Sequence, residues 1–263
     1  MTIKKTAIVT GASSGIGYAV CRQLLEKGYA VYGFSRRGTA PEGAKGVSVD
    51  IADEKAVFAA VEEAVAEAGR LDLLVNCAGM GISGPVEFAA PEDVRRITDV
   101  NFLGQVFCTQ AVLKTMRAQK SGHIVFVSSV AASIAIPYQA FYSTAKASVN
   151  ALALALRNEL KDLNIKVCTV MPGDAATGFT DARRKDSAHD GIYPHNSTAT
   201  AAMEKDERGG MSPDTVARAI VRAAEKKDPA PLYTVGGKYK VFMALFKLLP
   251  AGLSYKIVGK MYS

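Results

Sequence analysis

The chain has few of the residues from which metal sites and disulfide frameworks are built. Its 263 residues include only four cysteines and three histidines. The cysteines form no CxxC pair and the histidines lack the close spacing of metal ligands, so we expect buried thiols in a reducing compartment and no bound metal. These seven residues are Cys21, Cys77, Cys108, Cys168, His123, His189 and His195.

The sequence also lacks a targeting segment and an apolar run long enough to cross a bilayer. Met1-Thr2-Ile3-Lys4-Lys5 leads directly into a strand pattern, with no apolar signal region and no cleavage site. Apolar residues make up 49% of the chain and charged residues 22%, without a Pro/Gly/Ser-rich or charge-rich tract. We therefore expect one soluble, cytoplasmic unit over residues 1–263.

Acidic residues are missing from residues 236–263, which carry five lysines. The net charge of +7 falls to +2 in the rest of the chain, where 27 basic residues stand against 25 acidic ones. No reading helix or stacking aromatics accompany a basic face, so nucleic-acid binding is not expected. Residues 238–263 are a basic amphipathic extension broken at Pro250. It could pack within the chain or between subunits, touch an anionic membrane peripherally, or be disordered.

Short apolar runs rich in Val and Ile alternate with segments of helical period. Continuously apolar strands separated by amphipathic helices are typical of parallel βαβ units with both sheet faces covered. We predict a doubly wound α/β sheet of about seven parallel strands, with helices on both faces. The predicted strands are residues 6–10, 30–34, 46–49, 73–75, 124–127, 165–170 and 232–235. The predicted helices are residues 16–27, 54–68, 94–116 (one helix or two), 141–163 and 213–226.

A glycine-rich turn, Thr10-Gly11-Ala12-Ser13-Ser14-Gly15-Ile16-Gly17, joins the first predicted strand to the first helix. Glycines allow a sharp turn and the close approach of a pyrophosphate, and the N–H groups and dipole of the helix start attract the anion. This position in the chain predicts a dinucleotide-binding site. Its candidate cofactor-binding residues are Gly11, Ser13, Ser14, Gly15, Ile16 and Gly17.

The second strand ends in Phe34-Ser35-Arg36-Arg37, where NAD-preferring folds place an acid for the ribose 2′-hydroxyl. An acid would repel a 2′-phosphate, whereas an arginine fork matches phosphate oxygens. Ser35, Arg36 and Arg37 therefore favour NADP(H) over NAD(H), although the two arginines could instead form a solvated turn. Asp50 and Ile51, which end the third strand, are expected at the adenine edge.

A tyrosine and a lysine four residues apart, Tyr142 and Lys146, share one face of a predicted helix. An adjacent ammonium and a positive nicotinamide would both favour the phenolate, so we expect the pKa of Tyr142 to be lowered. Ser129 follows the fifth strand and would hydrogen-bond the substrate oxygen, and Asn101 could hold a water that relays protons through Lys146.

With these motifs the chain resembles the short-chain dehydrogenase/reductase family, over nearly its whole length up to about Val235. The family's motifs fall on Thr10 to Gly17, on Asn76-Cys77-Ala78-Gly79, on the tetrad Asn101, Ser129, Tyr142 and Lys146, and on Pro172, Gly173 and Thr177 beside the nicotinamide carboxamide. Two departures are Cys77 and Asp174, since relatives more often carry a small or apolar residue at the latter position.

The resemblance implies a Rossmann-like fold and direct hydride transfer between NADP(H) and a carbonyl or secondary alcohol. Tyr142 would exchange the proton on oxygen, and Tyr142 and Lys146 would also touch the cofactor. Relatives commonly pair the helices that correspond to residues 94–116 and 141–163, so a homodimer or homotetramer is expected.

Residues 174–210 are the only long irregular stretch of the sequence, and we expect them to form a substrate lid, with disorder as the alternative. Ser83, Ile136 and Phe179 are candidates for the pocket wall, and their character hints at a lipophilic carbonyl such as a steroid or a long-chain aldehyde.

Two other functions compete with this hypothesis. A serine hydrolase built on Ser129 is disfavoured because the sequence has no G-x-S-x-G elbow. A non-catalytic NADP(H)-binding sensor would need only the glycine turn and the strand ends, but the complete tetrad favours an enzyme.

Overall fold

The computed structural model describes residues 4–262. Residues 1–3, at the start of the predicted N-terminal segment, and residue 263, at the end of the predicted extension, lie outside the described residues. No helix within residues 4–262 combines the length and apolar character needed to cross a membrane.

Seven parallel strands form the central sheet of the described chain, in the order β3-β2-β1-β4-β6-β7-β9. They are β1 (Thr6–Thr10), β2 (Ala30–Ser35), β3 (Lys45–Ser48), β4 (Leu73–Asn76), β6 (Gly122–Val127), β7 (Ile165–Pro172) and β9 (Leu232–Val235). Two further short strands, β5 (Ile82–Ser83) and β8 (Arg184–Lys185), pair with each other outside it. The predicted doubly wound parallel sheet is confirmed. The first and last residues of each predicted strand lie within two positions of those of the corresponding observed strand.

Helices surround this sheet. They are α1 (Gly15–Glu26), α2 (Glu54–Ala68), α3 (Pro91–Thr98), α4 (Gly104–Gln119), α5 (Ala140–Glu159), α6 (Asn196–Arg208), α7 (Pro213–Ala224), α8 (Gly237–Leu248) and α9 (Ala251–Met261). The predicted segment 94–116 consists of α3 and α4, joined by one π-helical turn at Asp99–Leu103. The prediction that residues 174–210 are irregular is wrong, because they contain β8 and α6.

Strand β1 illustrates why the sheet is covered on both faces. All five of its residues are buried. Ile8 belongs to a core cluster with residues of α2, α4 and α5, whereas Ala7 and Val9 belong to a second cluster with residues of α1 and α7. Alternate side chains of a strand point to opposite faces, so a strand that is apolar throughout must lie between two layers of helices.

The buried side chain of His123, near the start of β6, makes the folding stability depend on pH. Its Nδ1 donates to the Ala224 carbonyl over 2.8 Å, and burial lowers its pKa from 6.5 to about 4. The unfolded chain therefore takes up a proton between pH 6.5 and 4 that the folded chain refuses, and stability falls as the pH falls through this range.

We expect the contribution of His123 to make the free energy of unfolding about 2 kcal/mol lower at pH 5 than at pH 7.5. Urea unfolding of the wild type and of His123→Asn, whose amide keeps a donor toward Ala224, measures the effect. The wild type should lose about 2 kcal/mol more than the variant between the two pH values. Equal losses would show that His123 does not resist protonation.

Candidate active site

The predicted cofactor-binding and catalytic residues gather at the carboxyl-terminal edge of the sheet. All seven parallel strands end there, and β1, β2, β4, β6 and β7 do so at Thr10, Ser35, Asn76, Val127 and Pro172. Parallel strands bring the loops that follow them to the same edge, which is where ligands bind in open α/β sheets. The motifs that are separated in the sequence are therefore neighbours in the fold.

The turn after β1 depends on its glycines. Gly11 and Gly15 have positive φ angles of 73° and 57°, a conformation that side chains rarely adopt. A Cβ at Gly17 would lie 2.4 Å from the Gly11 carbonyl oxygen, which is backbone and cannot move aside alone. Helix α1 therefore starts directly against the turn.

The start of α1 suits an anion. Ser14 precedes the helix in an extended conformation, and its side chain makes no capping hydrogen bond to the first N–H groups. The first turn also contains no acidic residue that would compete with an anion for these groups. Ser13 is half-buried and Ser14 exposed, while Ile16 packs against the core cluster of α1 and α7. Free N–H groups at a helix start bind phosphates well, so this cradle fits a dinucleotide pyrophosphate.

Two other loops close on the glycine turn. The Thr10 hydroxyl accepts hydrogen bonds from the backbone N–H groups of Cys77 and Ala78, over 2.9 and 3.0 Å. A Cβ at Gly15 would lie 3.4 Å from Cβ of Thr177. The loops after β1, β4 and β7 thus form one surface, as the predicted cofactor contacts require.

The loop after β2 carries two free cations. Arg36 and Arg37 are exposed, and within residues 4–262 neither guanidinium has an ion-pair or hydrogen-bond partner. The buried Ser35 hydroxyl donates to the Thr39 carbonyl over 3.0 Å. These arginines remain available to an anionic group at the cleft.

Asp50, after β3, is held by Arg96 of α3 over 2.7 Å and by the Ala52 N–H over 3.1 Å. Partial burial favours the neutral acid, but the hydrogen bonds from Arg96 and the Ala52 N–H, together with the positive charges of Arg96 and Arg36, outweigh it, so the pKa of Asp50 is lowered. Ile51 is buried against the first residue of α4, where a Cβ on Gly104 would lie 2.8 Å from Cδ1 of Ile51. Sequence reasoning missed Arg96, which is 46 residues away and carries no local signal.

Asn101 lies in the π-helical turn between α3 and α4 and is fully buried. Its Oδ1 accepts from the Met80 N–H and its Nδ2 donates to the Met80 carbonyl, both over 2.8 Å. Its own carbonyl accepts from Gln105 Nε2 over 3.0 Å. Asn101 therefore fixes the loop after β4 beside the other predicted catalytic residues.

The Asn76 side chain joins the end of β4 to α4. Asn76 is fully buried, and its amide donates to the Thr109 hydroxyl over 3.1 Å. Its predicted contact with the cofactor stays a prediction. Gly79 is exposed in the same loop, and a Cβ there would lie 3.4 Å from Asn101 Oδ1 and 3.6 Å from Lys146 Nζ.

Lys146 is buried, with 4% of its surface exposed. Its Nζ donates to the Val127 carbonyl over 2.9 Å and lies 5.8 Å from the centre of the Tyr142 ring. Burial lowers the pKa of Lys146 to about 8. The Lys146 amine therefore loses its proton more easily than an exposed lysine does.

The phenol of Tyr142 is a weaker acid in the protein alone than in a free tyrosine. Burial raises its pKa to about 12, while the Ser129 hydroxyl acts in the opposite direction. In the protein alone, desolvation of the phenolate exceeds the help of the nearby Arg183 cation. The predicted lowering, which also needs a bound positive nicotinamide, stays a prediction for the complex with the cofactor. Ser129 Oγ accepts from the Ala131 N–H over 3.1 Å, which fixes this hydroxyl at the end of β6. The phenol remains protonated at neutral pH.

A buried ion pair that the sequence did not reveal lies behind Tyr142. The rings of Tyr142 and Phe179 are 5.5 Å apart, and the Arg183 guanidinium lies 5.6 Å from the Phe179 ring. Arg183 pairs with Glu207 of α6, and the Thr180 hydroxyl donates to the same carboxylate over 2.7 Å. Of the other predicted wall residues, Ser83 is buried in β5 and Ile136 is half-buried.

The C-terminal extension packs onto the loop after β7. A Cβ at Gly173 would lie 2.1 Å from the Tyr239 ring, so this ring of α8 covers Gly173 directly. The Tyr239 hydroxyl donates to the Asp174 carboxylate, and Lys238 lies 3.8 Å from the same group. Asp174, the departure noted in the sequence, therefore anchors the extension. On the other side, Met243 and Val258 are buried with Ile134, five residues after Ser129.

Comparisons with known proteins agree with this arrangement. The family model described as short chain dehydrogenase matches residues 5–188. A 3-ketodihydrosphingosine reductase from Bacteroides thetaiotaomicron is 38% identical over 91% of each chain, and an NADPH-dependent 3-dehydrocapnine reductase from Ornithobacterium rhinotracheale is 31% identical over 97% of this chain and 96% of its own. A short-chain dehydrogenase from Streptomyces avermitilis superposes with a TM-score of 0.84 and 26% identity, covering 99% of this chain and 98% of that one.

The chain belongs to the short-chain dehydrogenase/reductase family. It is an oxidoreductase of that family, which uses a nucleotide cofactor.

Proposed function

We propose that the protein reduces a long-chain ketone with NADPH, and that its substrate resembles a 3-keto sphingoid base. The observation that carries the proposal is the convergence of Ser129, Tyr142 and Lys146 beside the cofactor cradle, with the apolar ring of Phe179 packed 5.5 Å from the Tyr142 ring. The two similar reductases named above act, by their names, on ketones of this kind.

In this proposal, bound NADPH supplies the hydride to the carbonyl carbon. Ser129 donates a hydrogen bond to the carbonyl oxygen, and Tyr142 delivers a proton to it as negative charge develops. A phenol that burial keeps protonated suits reduction, since the reaction begins with the proton on Tyr142. Lys146 holds the cofactor ribose and favours the phenolate left after proton transfer, and Asn101 keeps the Met80 loop in place around them.

The substrate proposal is tested by following NADPH oxidation with synthetic 3-ketodihydrosphingosine and with a short, water-soluble ketone. Burial of the alkyl chain should make kcat/KM for the long substrate at least about a hundredfold larger. Equal values for both ketones would contradict a lipid substrate. NADPH that binds but is never oxidised by any ketone would favour the sensor alternative.

Selection of NADP(H) is assigned to Arg36 and Arg37 because both are exposed, unpaired within the described chain and placed after β2. We expect Arg36→Ala/Arg37→Ala to raise the KM for NADPH about thirtyfold while leaving that for NADH nearly unchanged, since only the phosphate contacts are lost. Steady-state kinetics with both cofactors measure this. The matched charge-loss control is Arg117→Ala/Arg222→Ala, two exposed arginines elsewhere, which should change neither KM. Equal effects of the first variant on both cofactors would disprove the assignment.

We further propose that residues 174–210 act as a substrate lid within a single catalytic unit. The Phe179 ring, near the start of this segment, contacts the Tyr142 ring, and the Arg183–Glu207 pair ties the start of the segment to α6 near its end. A homodimer or homotetramer built on α4 and α5 is proposed by analogy with the family, and sedimentation velocity measures the assembly.

A further inference from the structure

The C-terminal hairpin, which we define as α8 and α9 (residues 237–261), has two unlike faces. Its inner face is fixed to the protein through Tyr239, Met243 and Val258, which contact Gly173, Asp174 and Ile134. These contacts lie on both sides of the catalytic cleft, after β7 and after β6. Packing within the chain therefore accounts for the inner face of these two helices.

The outer face is apolar and uncovered in the chain. Seven of the thirteen large apolar side chains that are exposed in residues 4–262 lie on this hairpin, with Leu248 at 81% exposure. They are Val241, Leu245, Leu248, Leu253, Tyr255, Ile257 and Met261. Tyr255 packs edge-on against Phe246, and the other six form exposed stripes along the two helices. Such a concentration of exposed apolar side chains marks an interaction site rather than scattered exposure.

The spacing of these side chains makes two stripes. Leu245 and Leu248 follow Val241 by four and seven residues in α8, and Ile257 and Met261 follow Leu253 by four and eight in α9. Residues at these intervals share one side of a helix. Each helix therefore presents an apolar ridge to its surroundings.

Lysines border both ridges. Lys240 and Lys247 of α8 and Lys256 and Lys260 of α9 are exposed, and none pairs with an acidic side chain within the described chain. Residues 236–263 contain no acid at all. Apolar ridges flanked by unpaired lysines match the surface of an anionic bilayer, where the ridges enter the acyl boundary and the ammonium groups meet phosphates.

A second copy of the chain is a poorer occupant. In a two-fold contact the same patch meets itself, so the lysines of the two hairpins would face one another without an acid between them. We propose that the outer face of the C-terminal hairpin docks on an anionic phospholipid membrane. Docking there places the catalytic cleft, which the inner face borders, beside the lipid phase from which a long-chain ketone would enter; this last step rests on the proposed function.

Docking is tested without any substrate, by co-sedimentation of the full chain with vesicles of phosphatidylcholine alone or mixed with phosphatidylglycerol. We expect binding to the anionic vesicles, which falls as salt is raised, and little to the neutral ones. Leu245→Asp/Leu248→Asp and Lys240→Glu/Lys247→Glu should each weaken binding at least about tenfold. Both pairs are exposed, so turnover of a water-soluble ketone should be unchanged.

Matched controls use exposed positions of the same chemical type away from the hairpin. Phe58→Asp of α2 and Lys55→Glu/Lys161→Glu should leave vesicle binding as in the wild type. Equal binding by the hairpin variants and the wild type would overturn the proposal, as would equal binding to neutral and anionic vesicles. If the wild type bound no vesicles but self-associated, and Leu245→Asp/Leu248→Asp abolished the self-association, the outer face would instead be a contact with a second copy of the chain. Vesicle binding by a chain that reduces no long-chain ketone would leave docking intact and reject the proposed function.

Discussion

Replacing Tyr142 by Phe should lower kcat for ketone reduction about a thousandfold, because the variant keeps the ring but loses the proton that the carbonyl oxygen must receive. The affinity for NADPH should stay within about threefold of the wild type, since the cradle at the start of α1 is untouched. Single-turnover kinetics on the long-chain ketone and a fluorescence titration with NADPH separate the two quantities.

Tyr29→Phe is the matched control. Tyr29 is a buried tyrosine, with 6% of its surface exposed, but it precedes β2 and lies away from the carboxyl edge of the sheet. Its removal should leave kcat unchanged. If Tyr142→Phe retained wild-type turnover, another group would have to supply the proton, and the assignment of Tyr142 would be wrong.

The second large effect concerns Gly17. In Gly17→Ala the new methyl group would lie 2.4 Å from the Gly11 carbonyl oxygen and 3.0 Å from that of Thr10. Neither backbone atom can give way alone, so α1 must move off the turn and misplace its first N–H groups. We expect NADPH affinity to fall at least about thirtyfold and the free energy of unfolding by about 1–3 kcal/mol.

Calorimetric titration with NADPH and urea unfolding measure these two losses. Gly252→Ala serves as the control, because a Cβ at Gly252 of α9 meets nothing within 4 Å. It should be neutral in both experiments. Full NADPH affinity in Gly17→Ala would mean that the cofactor does not depend on the close packing of α1 against the turn.

Local patterns predicted the parallel sheet, and they placed the two proposed proton-transfer residues on one helix. The strands are recognisable because each is a short apolar run, and Tyr142 and Lys146 are recognisable because one helix carries both at a fixed interval. Contacts between distant residues left no such signal. The pairs Asp50–Arg96 and Arg183–Glu207 join residues 46 and 24 positions apart, and only the fold brings them together.

Helix α6 was missed for a different reason. Its buried positions are spaced as in an amphipathic helix, but polar or small residues occupy most of them. They are Asn196, Ala199, Thr200, Met203 and Glu204. A search for apolar periodicity finds nothing there. The raised pKa of Tyr142 was likewise invisible, because the sequence gives the neighbouring ammonium but not the extent of burial that opposes it.

The order of the strands in the sheet also affects how the chain folds during its synthesis. Ala7 of β1 pairs with Leu73, and Thr169 of β7 pairs with Leu232, so the sheet is completed only by contacts between distant parts of the sequence. Such pairings form slowly, and synthesis proceeds from the N-terminus. The hydrogen-bonding edge of β7 therefore stays open until residues 232–235 have left the ribosome. It is at this late stage that a nascent chain is most exposed to pairing with a neighbouring copy.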